Sequence, residues 1–189
     1  IMGAMEVFLI ITAVIVIAVS FCIKEKSDKN EDEKKSGQDE VKAVTDYATV
    51  KTMDKRDAQE KGLYEVIGAA IDDKYIEELK KQVIHWDSIK EVGKDIKIVY
   101  TPLHGTGNIP ARRVLKEIGF ENVYVVPEQE LPNGDFPTVS YPNPEAKEAF
   151  ELGLALAKEK NADLVLATDP DADRLGVYVK DTKSGEYIP

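Results

Sequence analysis

Cysteine and positive charge are both scarce in this sequence. The single cysteine among the 189 residues, Cys22, cannot form a disulfide within the chain, so a disulfide-stapled fold is excluded. The 25 Lys and Arg residues are outnumbered by 35 Asp and Glu residues, which gives a formal net charge of −10 and a sequence pI near 4.8. The basic residues form no patch, so the composition argues against a nucleic-acid surface. The length suits one ordinary domain with a tail, or two small domains.

Charge is also absent from one long apolar run, residues 7–23 (VFLIITAVIVIAVSFCI). At about 1.5 Å per residue, this run is within the usual length range of a membrane-spanning helix. Lys24 and Lys26 follow it, so the positive-inside rule leaves the rest of the chain on the cytoplasmic side. A cleaved signal peptide fits less well, because residues 1–6 contain no basic region. A buried core element and non-native sequence are the other interpretations of residues 1–23.

The next stretch, residues 24–40 (KEKSDKNEDEKKSGQDE), is almost entirely charged or small and polar. Such a composition cannot bury a core, so it is typical of a solvated linker. We therefore predict three segments, which are an apolar segment at 1–23, a charged linker at 24–43 and a folded domain at 44–189.

The folded part alternates between strand-type and helix-type patterns. The patterns predict strands at residues 96–100, 123–126, 164–168, 175–179 and 186–188. They also predict one helix capped by Asp72, a second capped by Asn108 and closed by Gly119, and a third that Asn143 and Pro144 open. The last two strands flank a turn and form a hairpin. Two strand–helix–strand crossovers predict a three-layer α/β domain with a mainly parallel sheet, an antiparallel edge hairpin and helices on both faces.

Carboxylates alternate along the segment that follows the third of these strands. Asp169, Asp171 and Asp173 would repel one another in isolation, and a hard cation such as Mg²⁺ or Ca²⁺ relieves that repulsion. Arg174 adds a fork of donors that suits phosphate oxygens. A calcium-binding EF-hand is disfavoured, because Arg174 and Lys180 stand where a Gly and a Glu are expected. Ordinary turn chemistry accounts for Asp and Pro here, but the pattern as a whole predicts a Mg²⁺ site that handles a phosphoryl group.

A glycine-bearing loop, residues 101–107, follows the first predicted strand. Loops that leave the carboxyl ends of parallel strands lie along one edge of the sheet, where ligands bind. The backbone N–H groups near Gly105 and Gly107 are therefore candidates for contacts with the anion that Arg174 binds. His104 belongs to the same loop and lies at the same edge.

Three strings carry a family resemblance: Thr101–Gly107 (TPLHGTG), Pro132–Glu145 (PNGDFPTVSYPNPE) and Asp169–Arg174 (DPDADR). Together they resemble the second, metal-binding domain of the α-D-phosphohexomutases, the phosphoglucomutase and phosphomannomutase family. The similarity is strongest to the bacterial phosphoglucomutase branch that includes phosphopentomutase-like members. It runs from about residue 44 to the last residue.

This resemblance implies a four-domain enzyme that moves a phosphoryl group between the 1 and 6 positions of a hexose through a bisphosphate intermediate, with a phosphoserine of the first domain as donor. It implies that Asp169, Asp171 and Asp173 hold Mg²⁺. Asp173 and Arg174 would also face the phosphorylated sugar or the phosphoserine, and Arg174 and His104 would support the reaction.

The sequence departs from the family pattern because it contains no serine loop of the Thr-Ala-Ser-His-Asn-Pro type and no Gly-Glu-Glu-Ser-Gly sugar loop. The chain alone is therefore expected to bind metal but to complete no mutase turnover on a sugar phosphate. It would be an incomplete enzyme without a catalytic nucleophile of its own.

Two alternatives to the mutase interpretation stay open. The first is a phosphatase of the haloacid-dehalogenase type with Asp169 as nucleophile, although only 15 residues after Arg174 remain for the Lys and the second acidic pair of such a site. The second is a membrane-tethered module that binds a partner or a cation through the aspartate-rich segment and catalyses nothing.

Overall fold

The computed structural model describes residues 41–46, 48 and 50–189. The chain divides into two compact units, whose described parts are residues 41–74 and 75–189. The predicted apolar run at 7–23 and most of the predicted linker lie outside the described residues, and the segment boundaries stay predictions. Within the part of the chain that the structure describes, no helix is both long enough and apolar enough to cross a membrane.

The first unit contains a short exposed helix, α1 (Lys55–Glu60), in which no residue is buried. The Asp54 side chain caps its start by accepting a hydrogen bond from the Arg56 N–H at 2.8 Å. Helix α2 (Gly68–Lys80) runs from this unit into the second. Its predicted start at Asp72 was wrong, because the strong helix formers Ala69 and Ala70 extend the helix toward its amino end.

The second unit alternates helices and strands. After helix α3 (Trp86–Val92), its elements are β1 (Lys97–Thr101), α4 (Asn108–Ile118), β2 (Asn122–Val125), α5 (Pro127–Glu130), a 3₁₀ turn (Lys147–Phe150) that continues into α6 (Glu151–Lys160), β3 (Leu164–Thr168), β4 (Leu175–Lys180) and β5 (Tyr187–Ile188).

The five strands form one sheet in the order β2-β1-β3-β4-β5. Strands β2 and β3 flank β1 in parallel, whereas β4 pairs with β3 and β5 pairs with β4 in the antiparallel sense. The predicted α/β architecture with an antiparallel edge is therefore confirmed. Thr101 lies opposite Ala167, so the loops that leave β1 and β3 emerge side by side.

Each face of the sheet packs against its own hydrophobic core. Successive strand residues point to opposite faces, so Ile98 and Leu166 belong to the core beneath α2, α3 and α4. Val99 and Val165 belong to the core beneath α6. These buried central strands hold the loops at their carboxyl ends on a rigid base.

Two predicted helix starts were wrong because side chains bond elsewhere. Asn108 is the first residue of α4 rather than its cap, and its side chain donates to the Glu130 carbonyl at 2.9 Å. Asn143 does not open the next helix. Its side-chain oxygen accepts from the Glu145 N–H at 2.9 Å, and this local turn delays the helical region to Lys147. The predicted end of α4 at Gly119 is confirmed, since Gly119 adopts a left-handed φ of 119°.

Candidate metal and phosphate site

The aspartate loop (Asp169–Arg174) leaves the carboxyl end of β3 and brings three carboxylates together. One oxygen from each of Asp169, Asp171 and Asp173 lies within 4.8 Å of the other two. Two oxygens bound to one Mg²⁺ are at most about 4 Å apart, twice the metal–oxygen distance. The bound of 4.8 Å exceeds that limit by less than about 1 Å. The three residues therefore fit a hard cation in both chemistry and spacing.

Hydrogen bonds within the aspartate loop fix its shape. The Arg174 N–H donates to Asp169 Oδ1 at 3.0 Å, and the Ala172 N–H donates to the Asp169 carbonyl at 3.0 Å. Ala172 adopts a left-handed φ of 60°, which is uncommon for a residue with a side chain. Asp169 is thus bonded at its main chain and at one side-chain oxygen before any cation binds.

Burial raises the pKa of the Asp169 carboxyl, and the negative charges of Asp171 and Asp173 act in the same direction. The hydrogen bond from the Arg174 N–H opposes this rise. The negative charge of Asp169 is therefore less favourable than that of an exposed aspartate. A divalent ion would remove both causes, because it replaces lost hydration and screens the repulsion.

Arg174 lies at the rim of this cluster with its side chain 48% exposed. Its Nε lies 3.6 Å from Asp169 Oδ2 and 3.8 Å from Asp173 Oδ1. The neighbouring Tyr141 side chain is the largest cause of a raised pKa at Arg174. The guanidinium contacts the carboxylates only at long distance, so donors remain for an incoming anion.

Gly105 packs directly against the aspartate loop. A Cβ atom added at Gly105 would lie 2.4 Å from the Cα of Pro170. Its N–H donates to the Pro102 carbonyl at 2.8 Å, so this group is used within the glycine-bearing loop. The structure thus explains the glycine by close approach of two backbones, and the proposed anion contact of the Gly105 N–H stays a prediction.

Close contacts also explain why residue 107 is a glycine. A Cβ atom there would lie 2.7 Å from the Tyr100 hydroxyl, 2.8 Å from Thr168 Oγ1 and 3.2 Å from the Cβ of Ala172. The Tyr100 and Thr168 hydroxyls form a buried hydrogen bond of 2.8 Å directly below. This pair connects β1 to the residue that precedes Asp169.

The buried Tyr100 hydroxyl should make the protein sensitive to alkali. Burial raises the pKa of Tyr100 to about 12 from an ordinary value of 10.0. The folded state then binds the phenolic proton more tightly than the unfolded state does. The resulting contribution to the free energy of unfolding is complete below about pH 10 and is lost by about pH 12. We expect the parent chain to lose about 3 kcal/mol of unfolding free energy across this range relative to Tyr100→Phe. Urea denaturation of both proteins at several alkaline pH values measures this, and parallel pH profiles would contradict it.

His104 lies in a chain of buried and partly buried hydrogen bonds. Its Nδ1 lies 3.1 Å from the Leu131 carbonyl, which can only accept, so the network assigns the proton to Nδ1. Its Nε2 then accepts from the Thr138 hydroxyl at 2.9 Å. Gln129 donates to Thr138 at 3.0 Å and accepts from the Thr101 hydroxyl at 2.6 Å. Both ring nitrogens are therefore engaged by the segment 129–138, and a direct supporting role of His104 in the reaction stays a prediction.

Several residues that shape the site were not predicted from the sequence. Thr106 contacts the aspartate loop, the Tyr100–Thr168 pair lies beneath it, and Tyr141 neighbours Arg174. Tyr141 belongs to the second of the three strings that carry the resemblance, which was a usable signal. Thr106 belongs to the first string and carried the same signal, whereas Tyr100 and Thr168 lie in strands outside the three strings and carried none.

Comparison with known proteins gives one matching family and several relatives. Residues 73–184 match the family described as phosphoglucomutase/phosphomannomutase, alpha/beta/alpha domain II. A probable phosphomannomutase of Haemophilus influenzae is 48% identical over 94 residues, which cover 50% of this chain and 19% of that protein. A phosphoribomutase of Saccharomyces cerevisiae is 42% identical over 118 residues, 60% of this chain and 19% of the relative. A phosphoglucomutase of Staphylococcus saprophyticus is 40% identical over 117 residues, 62% of this chain and 20% of the relative. The chain thus spans about a fifth of the length of these relatives.

Proposed function

Because the chain belongs to the phosphoglucomutase/phosphomannomutase family, as its α/β/α domain II, we propose that it supplies the Mg²⁺ site of a sugar phosphomutase. This proposal rests on one observation above all, the approach of three carboxylate oxygens to within 4.8 Å of one another at the end of β3. Asp169, Asp171 and Asp173 would hold the ion. When bound, Mg²⁺ neutralises charge that develops on a transferring phosphoryl group.

The residues around the carboxylates have separate roles in this proposal. Arg174 donates to the oxygens of the incoming phosphate, since its guanidinium is half exposed and always charged. Asp173 lies next to it at the open side of the cluster and faces the same ligand. The Tyr141 side chain lies close enough to Arg174 to raise the pKa of its guanidinium, and in this proposal it helps to orient that group.

We infer that the substrate is a sugar phosphate, with glucose 1-phosphate and glucose 6-phosphate as the leading pair. The relatives named above are a phosphomannomutase, a phosphoribomutase and a phosphoglucomutase. Pentose and mannose phosphates are therefore the competing substrates. No serine loop or sugar loop of the family type occurs in the 189 residues, so this chain by itself is proposed to bind the metal without completing a turnover.

Titration of the purified chain with Mn²⁺ tests the metal site. Mn²⁺ prefers the same oxygen ligands as Mg²⁺ and is detected by electron paramagnetic resonance. We expect one saturable site that Mg²⁺ competes for, and at least about tenfold weaker binding in Asp171→Asn, because the variant removes one negative ligand.

Asp87→Asn is the matched control, since it makes the same chemical change at an exposed carboxylate on α3, outside the aspartate loop. Equal Mn²⁺ binding by the parent and Asp171→Asn would contradict the metal proposal. Isomerisation of glucose 1-phosphate by the purified chain would contradict the proposal that it is incomplete. Hydrolysis of sugar phosphates through a trapped Asp169 phosphoanhydride would favour the phosphatase alternative instead.

A further inference from the structure

We propose that the glycine-bearing loop (residues 101–107) positions the metal ligands by holding the main chain of the aspartate loop, and that Thr106 is the positioning residue. This inference rests on the proposed metal function. It assigns to the loop a different task from the anion contacts that its glycines suggested in the sequence.

Thr106 donates two hydrogen bonds to a single oxygen atom of the aspartate loop. Its N–H donates to the Pro170 carbonyl at 2.8 Å, and its hydroxyl donates to the same oxygen at 3.1 Å. Pro170 stands between Asp169 and Asp171, so any shift of its peptide groups moves two of the three candidate ligands. Pro170 has no N–H, which makes this carbonyl the one main-chain hydrogen-bonding group that it offers.

Gly105 sets the distance between the two loops. Its missing side chain lets the Cα of Pro170 approach to a point only 2.4 Å from where a Cβ would stand. The aspartate loop therefore rests against the backbone of the glycine-bearing loop, and the Thr106 hydroxyl adds a side-chain contact at the same place. A contact between two backbones transmits position accurately, because neither can change rotamer.

The glycine-bearing loop is itself held firmly. The Leu103 N–H donates to Thr101 Oγ1 at 3.1 Å, and the His104 N–H donates to the Gln129 carbonyl at 3.0 Å. Leu103 and His104 both adopt left-handed backbone angles, with φ values of 47° and 61°. Two consecutive residues with side chains persist in this region only where the surroundings impose it. The loop can therefore act as a fixed template for its neighbour.

Loss of this support should lower the affinity for the metal more than it lowers the stability of the protein. Groups that orient metal ligands from behind typically change affinity by 10- to 100-fold when they are removed. Thr106 is exposed, so the loss of its hydroxyl leaves no cavity and no buried polar group without a partner. A purely structural residue would instead change the stability of the metal-free protein.

Two substitutions at Thr106 in the full chain separate these possibilities. Thr106→Val removes the hydroxyl at nearly constant shape, and Thr106→Ser restores it. We expect Mn²⁺ affinity to fall about tenfold in Thr106→Val and to stay within about twofold of the parent in Thr106→Ser. The melting temperature in excess EDTA should be nearly the same for all three proteins. Thr182→Val, at an exposed position of the β4–β5 turn, is the matched control and should bind Mn²⁺ like the parent.

Each other result overturns the inference. Parental Mn²⁺ affinity in Thr106→Val, or equal losses in the Val and Ser variants, would show that the hydroxyl does not position the ligands. A loss of affinity that merely follows a lower melting temperature in EDTA would assign Thr106 to folding. Absence of saturable Mn²⁺ binding by the parent would refute the proposed function and this inference together, whereas the first two results refute the inference alone.

Discussion

The Gly105→Ala variant should bind Mn²⁺ at least about a hundredfold more weakly than the parent chain. The new methyl group would stand 2.4 Å from the Cα, 2.5 Å from the carbonyl oxygen and 2.8 Å from the carbonyl carbon of Pro170. All three are backbone atoms, so no rotamer change relieves the clash and the aspartate loop must move. Displacement of Pro170 carries Asp169 and Asp171 with it, which places the expected loss at the upper end for groups that support metal ligands.

The same overpacking should lower the free energy of unfolding of the metal-free protein by about 1–3 kcal/mol. Gly134→Ala is the matched control, because a Cβ there meets nothing within 4 Å. It should match the parent in Mn²⁺ titration and in urea denaturation. Parental Mn²⁺ affinity in Gly105→Ala would mean that the contact between the two loops does not control the site.

Removal of the Phe150 ring should lower the free energy of unfolding by about 3–5 kcal/mol. Phe150 ends the 3₁₀ turn before α6, is 1% exposed, and packs with its ring centroid 4.7 Å from that of Tyr178 on β4. Gly176 on the same strand leaves the space that the ring occupies, since a Cβ there would lie 2.8 Å from Phe150 Cζ. Phe150→Ala would leave a cavity between the sheet and its helical layer that rigid neighbours cannot fill.

Urea denaturation at constant pH measures this loss. Ile84→Ala is the control for removal of apolar atoms, because Ile84 is 74% exposed and its truncation should change the unfolding free energy by less than about 0.5 kcal/mol. A loss below about 1 kcal/mol in Phe150→Ala would mean that this core collapses around the vacancy more easily than the close contacts suggest.

The regular part of the fold could be predicted from the sequence because its signals are local. The buried run at 164–168 has the bounds of β3, and two crossovers are sufficient to place β1, β2 and β3 in one parallel sheet. Helix starts were predicted less well, since they depend on which partner a polar side chain selects. Asn108 bonds a carbonyl 22 residues away, a choice that no local pattern reveals.

The candidate site was likewise predictable from the sequence only in part. Alternation of carboxylates in DPDADR predicts their convergence, because a tight turn gathers every second residue. The support beneath them was missed, since Thr106 and Pro170 are 64 residues apart. The glycines at 105 and 107 were noticed for a different reason than the one that the contacts show. A glycine in the sequence indicates that another group approaches closely, but only the tertiary structure identifies that group.

The hydrogen bonds around His104 have a single direction, which the main chain dictates from both ends. The Leu103 N–H can only donate, so the Thr101 hydroxyl oxygen accepts from it and donates its own proton to the side-chain amide oxygen of Gln129. At the far end the Leu131 carbonyl can only accept from the His104 ring. No side chain between these ends can reverse its polarity alone, so the amide flip, the hydroxyl rotors and the imidazole tautomer are set as one cooperative unit.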